Sequence, residues 1–380
     1  MADAKLHPVH DTSTAAPQPG IALCLSGGGY RAMLFHIGCL WRLNQLGLMA
    51  KLNRISSVSG GSITSGVLGM NWRDLGFTPG AESGRFKDLV VAPIRQLAST
   101  TIDEGAILGG IFLPGTVADH VADKYDKLVF QGKTLQDLPD EPRFVINATN
   151  VQSGALMRFS KPYMRDYRVG QILTPKLPLA RAVAASSAFP PVLSPCEIKV
   201  ADYGMQFERG QDGEDLNFPP YTTDLILTDG GVYDNLGLET AWKRYDTILI
   251  SDGGGHLAAE PSPHHDWARH AYRVLNLIDN QVGALRTRQV ITLLAQGERK
   301  GAYWGIRQDV ATYFAQYPLP CPFDRTTALA LTATRLAKME DTLQEKLINW
   351  GYAICDASLR RYFDARLPDP IAFPYPGAAV

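Results

Sequence analysis

The sequence predicts an α/β fold, a three-layer sandwich with a mostly parallel central sheet flanked by helices. Two observations favour it. Up to about residue 70, short apolar runs alternate with glycine turns and with helical spacing of apolar residues, which is the βαβ pattern of a buried parallel sheet. In addition, 380 residues with 45% hydrophobic side chains and a formal net charge of −1 can bury a large core, which excludes disorder as the general state.

The first elements follow a strand, turn, helix order that is repeated once. The apolar run Ile21–Leu25 reads as a buried strand, and Tyr30–Leu48 has helical spacing with Gly47 near its end. Ile55–Val58 is the next predicted strand. It leads through a second glycine turn into a helix with apolar residues at Ile63, Val67 and Leu68.

Further elements continue the α/β pattern and then give way to helices. The predicted strands are Phe144–Asn147, Leu225–Leu227 and Thr247–Ile250, and helices are expected within 85–100, 118–129 and 178–187. Two amphipathic helices follow, one through Val274, Leu275, Ile278, Val282 and Leu285, the other through Leu336, Met339, Leu343, Leu347 and Trp350. We therefore expect a mainly helical C-terminal region packed on the sheet.

These elements suggest four parts of the chain. Residues 1–19 form a polar tail, 20–260 an α/β domain, 261–365 a helical region on the same core, and 366–380 a proline-rich tail. No run of about 18 apolar residues occurs, and the N-terminus lacks the apolar segment of a secretory signal. These features predict a cytoplasmic protein.

The overall charge and the cysteine pattern limit the possible binding partners, compartment and metal sites. With 37 basic and 38 acidic residues, the chain has no overall field to attract nucleic acid. The five cysteines are scattered and contain no CxxC pair, which fits a reducing compartment and argues against a structural zinc site.

A serine stands on the second glycine turn, in the stretch Ser57-Val58-Ser59-Gly60-Gly61. A nucleophilic serine on a sharp strand-to-helix turn needs small residues two before and two after it, and Ser57 and Gly61 meet that need. The helix behind Ser59 would direct amide groups at an oxyanion. The competing interpretation is a serine that caps a helix, which is common.

The first turn, Ser26-Gly27-Gly28-Gly29-Tyr30-Arg31, can direct several backbone amides at one point. Such a concavity can hold a phosphate or the oxyanion of acyl transfer. The turn lacks the complete GxGxxG pattern of dinucleotide binding and the GK[ST] of a phosphate-binding loop. A flexible connection between strand and helix is the alternative.

A nucleophile also needs a base. Asp229-Gly230-Gly231 follows a predicted strand, so Asp229 can accept the Ser59 proton at a sheet edge that hosts ligands. Asp252, followed by Gly253-Gly254-Gly255-His256, ends the next strand and is a rival base, with His256 beside it.

These three clusters together resemble the motifs of the patatin-like phospholipase family, lipid acyl hydrolases that use a Ser–Asp dyad. SGGGYRA at 26–32 resembles the family's oxyanion loop, SVSGG at 57–61 its nucleophile elbow, and DGG at 229–231 its base turn. The stretches 147–159 and 184–195 also fit. The resemblance covers residues 20–260.

The resemblance implies roles for individual residues. Ser59 would be the nucleophile and Asp229 the general base, while Gly60, Gly61, Gly230 and Gly231 shape their turns. Gly27, Gly28 and Gly29 would donate amides to the oxyanion, with Arg31 as the positively charged anchor of that loop. Ser57 and Ala32 replace glycines of the family pattern, and Asn235-Leu236-Gly237 stands where many members have Asn-x-Pro.

The implied activity is a phospholipase A-type serine hydrolase that cleaves fatty-acyl esters without a cofactor. A carboxylesterase, thioesterase or acyltransferase on the same fold is one alternative, and a non-catalytic lipid- or phosphate-binding module is another. Partners would be a lipid substrate and, peripherally, a membrane surface. Ala106–Leu113 and Phe189-Pro190-Pro191 are candidate membrane contacts, with buried loop packing as the competing interpretation.

Overall fold

A ten-stranded mixed sheet runs through the centre of the computed structural model, which describes residues 16–102, 116–210, 214–255 and 257–380. The strands are β1 (Gln18–Leu25), β2 (Leu52–Val58), β3 (Arg143–Asn150), β4 (Ala155–Phe159), β5 (Tyr163–Asp166), β6 (Gly170–Leu173), β7 (Cys196–Lys199), β8 (Asp224–Asp229), β9 (Tyr245–Asp252) and β10 (Lys300–Gly305). They are ordered β10-β9-β1-β2-β3-β4-β5-β6, with β8 on β3 and β7 on β8.

The sheet has a parallel centre and an antiparallel extension. Strands β10, β9, β1, β2 and β3 are mutually parallel. Strands β4, β5, β6, β7 and β8 pair antiparallel with their neighbours. The predicted strand–helix alternation gives the parallel centre, whereas the short strands from β4 to β7 and the strand β10 were not predicted.

Eleven helices are described around this sheet. They are α1 (Gly29–Gln45), α2 (Gly60–Met70), α3 (Trp72–Leu75), α4 (Ala92–Ala98), α5 (Val117–Tyr125), α6 (Leu179–Ser186), α7 (Gly231–Asp234), α8 (Glu239–Trp242), α9 (Trp267–Ala295), α10 (Phe323–Ala330) and α11 (Asp341–Ser358). Short 3-10 turns cover 49–51, 135–137, 200–203 and 310–312, and single π-helical turns cover 87–91, 126–130 and 359–363.

The side chains of β1 alternate between two apolar layers. Leu23 and Leu25 enter the large core beneath α1, α2 and α11, while Ala22 and Cys24 enter a smaller core that includes Val290 of α9. Helices therefore cover both faces of the sheet, and the predicted fold class is confirmed.

The C-terminal helix α11 packs directly against α1. A side chain at Gly38 would collide with the Ile348 carbonyl, and one at Gly351 with the Phe35 carbonyl, so glycine on both helices permits the close approach. Arg42 and Asp356 form a buried ion pair at 2.7 Å across the same interface.

Two details of the C-terminal prediction are wrong. Leu336 and Met339 precede α11, whose first residue is Asp341. The apolar residues used to predict α9, including Ile278 and Leu285, do not face the sheet but are exposed. None of the described helices combines the length and hydrophobicity needed to cross a bilayer.

Candidate active site

Ser59 lies on a strained turn between β2 and α2. Its backbone has φ 50° and ψ −120°, a conformation that costs a non-glycine residue roughly 1–3 kcal/mol and is concentrated at functional sites. The two following glycines are required by space, because a Cβ at Gly60 would collide with the Gly29 carbonyl and one at Gly61 would lie 2.5 Å from the Leu25 carbonyl oxygen. The turn thus has the strand-to-helix geometry of a nucleophile elbow.

Ser57 stands where the usual elbow pattern has glycine, and the structure accommodates it. Its side chain is fully buried and accepts a hydrogen bond from the Ser62 hydroxyl at 3.0 Å. A small polar side chain therefore fits beneath the turn because a partner for its oxygen, Ser62, lies in the first turn of α2.

Strand β3 sets the relative position of Ser59 and Asp229. Val58, the last residue of β2, pairs with Asn147, and Asp229, the last residue of β8, pairs with the next residue, Ala148. Because β8 runs antiparallel to β3, its end meets the end of β2 from the opposite direction. The base turn therefore reaches the nucleophile without belonging to the parallel part of the sheet.

Ser186, the last residue of α6, connects the two turns. Its hydroxyl accepts a hydrogen bond from the Ser59 amide at 2.9 Å and donates one to the Asn147 carbonyl at 2.6 Å. Its own carbonyl accepts from the Gly230 amide at 3.2 Å. No role for this serine was predicted from the sequence, although it lies in the 184–195 stretch that fits the family.

Asp229 is fully buried, and burial raises the pKa of its carboxyl from 3.8 to about 7. The hydrogen bond from the Gly231 amide, at 2.7 Å, and the hydrogen-bonding interaction with Ser59 lower the pKa, while the charge of Asp279 raises it. A carboxylate with a pKa near neutrality can accept a hydroxyl proton and return it, as a general base must.

The triple-glycine loop adopts conformations that favour glycine, with φ of +143° at Gly28 and +60° at Gly29. The Gly27 amide donates to the Asn235 carbonyl at 3.0 Å, so this amide is already engaged. No hydrogen bond from the Gly28, Gly29 or Gly60 amides to another described residue is found. Of the three amides predicted to bind the oxyanion, that of Gly27 thus already donates a hydrogen bond within the protein.

Arg31 lies beneath this loop, only 2% exposed. Its Nε donates to the Gly253 carbonyl at 3.2 Å and its Nη1 to the Thr332 carbonyl. Burial lowers the pKa of the guanidinium to about 10, and Nη2 has no hydrogen-bond partner within the described ranges. The predicted anchor is thus a buried cation held by backbone carbonyls.

A fourth glycine cluster, Gly253-Gly254-Gly255, supports the 27–29 loop. The Gly253 amide donates to the Ser26 hydroxyl at 2.8 Å, and a Cβ at Gly253 would lie 2.7 Å from that of Ala32. Both carboxylate oxygens of Asp252 are engaged, one by the Tyr303 hydroxyl at 2.7 Å and one by the Gly254 amide at 2.8 Å. The other rival base, His256, lies outside the described residues.

The loop after the base turn departs from the Asn-x-Pro pattern for a structural reason. Gly237 has φ +69°, which proline cannot adopt, and its amide donates to the Asp234 carbonyl at 3.1 Å. The Asn235 side chain lies close to both the base turn and the 27–29 loop. A Cβ at Gly231 would lie 2.7 Å from its Oδ1, and a Cβ at Gly27 would collide with the same atom.

Most of the predicted site residues line one cleft of about 560 Å³, whereas Gly60, Gly61 and Gly230 do not belong to its lining. Its lining contains Ser59, Asp229 and the 27–29 loop together with the apolar segment Phe189–Leu193. Helix α9 contributes a further set of lining residues, Tyr272, Asn276, Asp279, Asn280, Gly283, Ala284 and Thr287. The volume is in the range of sites for small organic ligands. Among the described residues, no group of His, Cys, Asp and Glu side chains is arranged to hold a metal ion.

We expect Ser186→Ala to lower kcat for ester hydrolysis about tenfold or more with little change in KM, because Ser59 loses the acceptor for its amide. The free energy of unfolding should fall by about 1–3 kcal/mol, since a buried N–H is left unpaired. Steady-state kinetics and urea titration measure both effects.

Ser65→Ala is the matched control, a buried serine on α2 whose hydroxyl lacks a hydrogen-bond partner in the described structure. It should keep wild-type kinetics and equal or greater stability. Identical behaviour of the two variants would contradict the positioning role of Ser186.

Comparisons with known proteins give the chain a family. The model of the patatin-like phospholipase family matches residues 23–242. Human GIVD cytosolic phospholipase A2 is 15% identical, with a TM-score of 0.39 over 64% of this chain and 49% of that one. VipD from Legionella pneumophila is 15% identical, with a TM-score of 0.33 over 90% of this chain and 66% of that one.

The human enzyme in complex with methyl gamma-linolenyl fluorophosphonate is 13% identical, with a TM-score of 0.45 over 89% of this chain and 57% of that one. The first of these matches covers 64% of this chain. In it, the chain spans about half the length of the human protein. No curated protein sequence matches. The family match runs from β1 to α8 and covers more than half of the sequence, including all three motif turns, and the chain therefore belongs to the patatin-like phospholipase family.

Proposed function

We propose that this protein is a serine lipid acyl hydrolase of the phospholipase A type, with Ser59 as nucleophile and Asp229 as general base. One observation carries the proposal: a serine on a strained turn shares a cleft with a fully buried carboxyl whose pKa burial raises to about 7. A buried base beside a serine nucleophile is the minimum that covalent acyl transfer requires.

In the first step the Ser59 oxygen attacks the ester carbonyl carbon while Asp229 takes the hydroxyl proton. The tetrahedral oxyanion is met by amides of Gly28, Gly29 and Gly60, each donor being worth about 3 kcal/mol in the transition state. The C–O bond to the alcohol then breaks, and protonated Asp229 delivers the proton to the leaving oxygen.

In the second step water attacks the acyl-Ser59 ester and Asp229 takes its proton. Collapse of the intermediate releases the fatty acid and returns the proton to the Ser59 oxygen. Buried Arg31 adds positive potential beneath the oxyanion loop, which favours the negative charge that develops in both steps.

We assign the acyl chain to the apolar segment of the cleft lining, which consists of Phe189, Pro190, Pro191, Val192 and Leu193. The predicted membrane contact at Phe189-Pro190-Pro191 is thus part of the cleft lining, while the one at Ala106–Leu113 lies outside the described residues. We infer a fatty-acyl ester as the substrate class.

The test is labelling with a fluorophosphonate probe followed by an activity panel. We expect wild-type protein to be labelled at Ser59, since only an activated serine reacts, and phospholipid to be hydrolysed in preference to acyl-CoA. Absence of labelling would favour a non-catalytic binding module. Labelling with faster turnover of acyl-CoA or of soluble esters would favour a thioesterase or a general carboxylesterase.

A further inference from the structure

A fully buried histidine, His36, is hydrogen-bonded to the residue that precedes the 27–29 loop. It belongs to α1, and its side chain is 0% exposed. Its Nε2 lies 2.9 Å from the Ser26 carbonyl oxygen, and its Nδ1 lies 2.8 Å from the Ser251 hydroxyl oxygen. His36 does not belong to the lining of the cleft, so any part it takes in a reaction there passes through these partners.

The Ser26 partner fixes the role of Nε2. A carbonyl oxygen only accepts hydrogen bonds, so we assign a proton to Nε2, which donates to Ser26. The bond between Nδ1 and the Ser251 hydroxyl holds the other edge of the ring. His36 thus connects the end of β1, where Ser26 follows Leu25, with β9, which contains Ser251.

The Ser26 carbonyl is the point at which the 27–29 loop meets the nucleophile elbow. The same oxygen accepts the amide of the elbow residue Gly61 at 3.2 Å. The rest of Ser26 is held as well, because its amide donates to the Ser251 carbonyl at 3.1 Å and its hydroxyl accepts from the Gly253 amide at 2.8 Å. The position of Ser26 therefore sets how the loop lies relative to the elbow.

His36 also fixes the orientation of the first peptide group of the loop. The Ser26 carbonyl and the Gly27 amide belong to one planar group. His36 holds its carbonyl end, and the Asn235 carbonyl accepts from its amide end at 3.0 Å. The next two residues are glycines with positive φ, which have no side chain to restrict them. The direction of their amides therefore depends on the peptide group that His36 holds.

We propose that His36 is a positioning residue for ester hydrolysis, which holds the Ser26 carbonyl and so directs the Gly28 and Gly29 amides at the oxyanion formed on Ser59. This inference rests on the proposed function for the reaction that it assists. The hydrogen bond itself forms without substrate, so its effect on the loop can be measured independently of hydrolysis.

Two substitutions separate this role from the mere burial of a polar side chain. In His36→Gln the amide nitrogen takes the place of Nε2 and can donate to the Ser26 carbonyl. In His36→Asn the shorter amide takes the place of Nδ1 and reaches only the Ser251 hydroxyl. Each variant keeps one of the two hydrogen bonds, so both should lose similar amounts of stability, but only His36→Asn releases Ser26.

We expect His36→Asn to lower kcat for a short p-nitrophenyl ester about 10- to 100-fold, because displaced donors lose much of their effect on the transition state. KM should change by less than about twofold, since the loop acts on the oxyanion. His36→Gln should keep most of the wild-type kcat. Hydrogen exchange followed by mass spectrometry should show faster exchange of the backbone amides of 26–30 in His36→Asn, and wild-type exchange there in His36→Gln.

Asn44→Ala is the matched control, because Asn44 is also a buried polar residue of α1 whose side chain makes two hydrogen bonds. Both join it to the backbone of Ser83, at 2.9 and 3.1 Å, and neither residue lines the cleft. This variant should lose stability in a urea titration and keep wild-type kcat and wild-type exchange at 26–30.

An unchanged kcat in folded His36→Asn would overturn the proposal. So would an equal loss of kcat in His36→Gln or in Asn44→Ala, since the loss would then follow from destabilisation and not from the release of Ser26. If the wild type hydrolyses no ester, the hydrolase function fails, and exchange at 26–30 alone decides whether His36 holds the loop.

Discussion

Ser59→Ala should lower kcat for hydrolysis of a short p-nitrophenyl ester by at least about 10⁴-fold. Without the hydroxyl no acyl-enzyme can form, and only the contributions of the oxyanion donors and of substrate binding remain. Burst-phase and steady-state kinetics measure the loss. The free energy of unfolding should change by less than about 1 kcal/mol, because the substitution removes one oxygen atom and keeps the backbone conformation.

The Ser65→Ala variant again serves as control, because it removes a hydroxyl from α2 without touching the cleft lining. Full activity of Ser59→Ala at wild-type stability would eliminate Ser59 as the nucleophile. Loss of activity together with loss of the folded state would not identify the nucleophile. Ser59→Cys, which keeps a nucleophilic atom at this position, is therefore measured beside it and should react there with thiol reagents.

The part of the site that depends on local sequence could be predicted. The turn at Ser59 needs small neighbours within two residues, and the loop at Gly27–Gly29 needs positive φ angles, so both requirements are visible in a few consecutive letters. The parallel centre of the sheet follows from the same strand–turn–helix alternation.

The relation between Ser59 and Asp229 could not be predicted in the same way. It depends on the register of β3, which pairs first with β2 and then with the antiparallel β8. Strand direction over such sequence separations is decided by tertiary pairing and not by propensity. Asp229 therefore reaches the cleft from an antiparallel strand, and not from the carboxyl edge of the parallel sheet as predicted.

Ser186 and Asp279 were missed for a related reason. Each acts on a residue far away in the sequence, Ser186 through a hydrogen bond to the Ser59 amide and Asp279 through its charge on Asp229. A serine at the end of a small-residue helix and an aspartate within an amphipathic helix are ordinary locally. Helix α9 shows the same limit, since periodicity predicts a helix but not which face is buried.

Asp229→Asn should also lower kcat by at least about 10³-fold, because an amide cannot accept the Ser59 proton. In the wild type, kcat/KM should rise tenfold per pH unit below pH 7 and level off above it, since the ionised carboxylate is the active form and its pKa is about 7. The pH–rate profile from pH 5 to 9 measures this. A profile without an inflection near 7, or an active Asp229→Asn, would move the base role to Asp252 or His256.

The same variant should be more stable than the wild type at alkaline pH, and the sign follows from the raised pKa. The folded carboxyl binds its proton more tightly than the unfolded one, so its contribution to stability is complete below pH 3.8 and is lost as pH rises to about 7. Three pKa units correspond to about 4 kcal/mol.

The asparagine that replaces the acid carries no charge at any pH, and its side-chain oxygen can still accept the Gly231 amide. The difference in unfolding free energy, measured by urea titration, should therefore grow between pH 4 and 7 and stay constant above. A constant difference across this range would mean that Asp229 is ionised in the folded protein well below pH 7. Burial would then impose no free-energy cost on the ionised carboxyl, and that cost is what makes Asp229 a base.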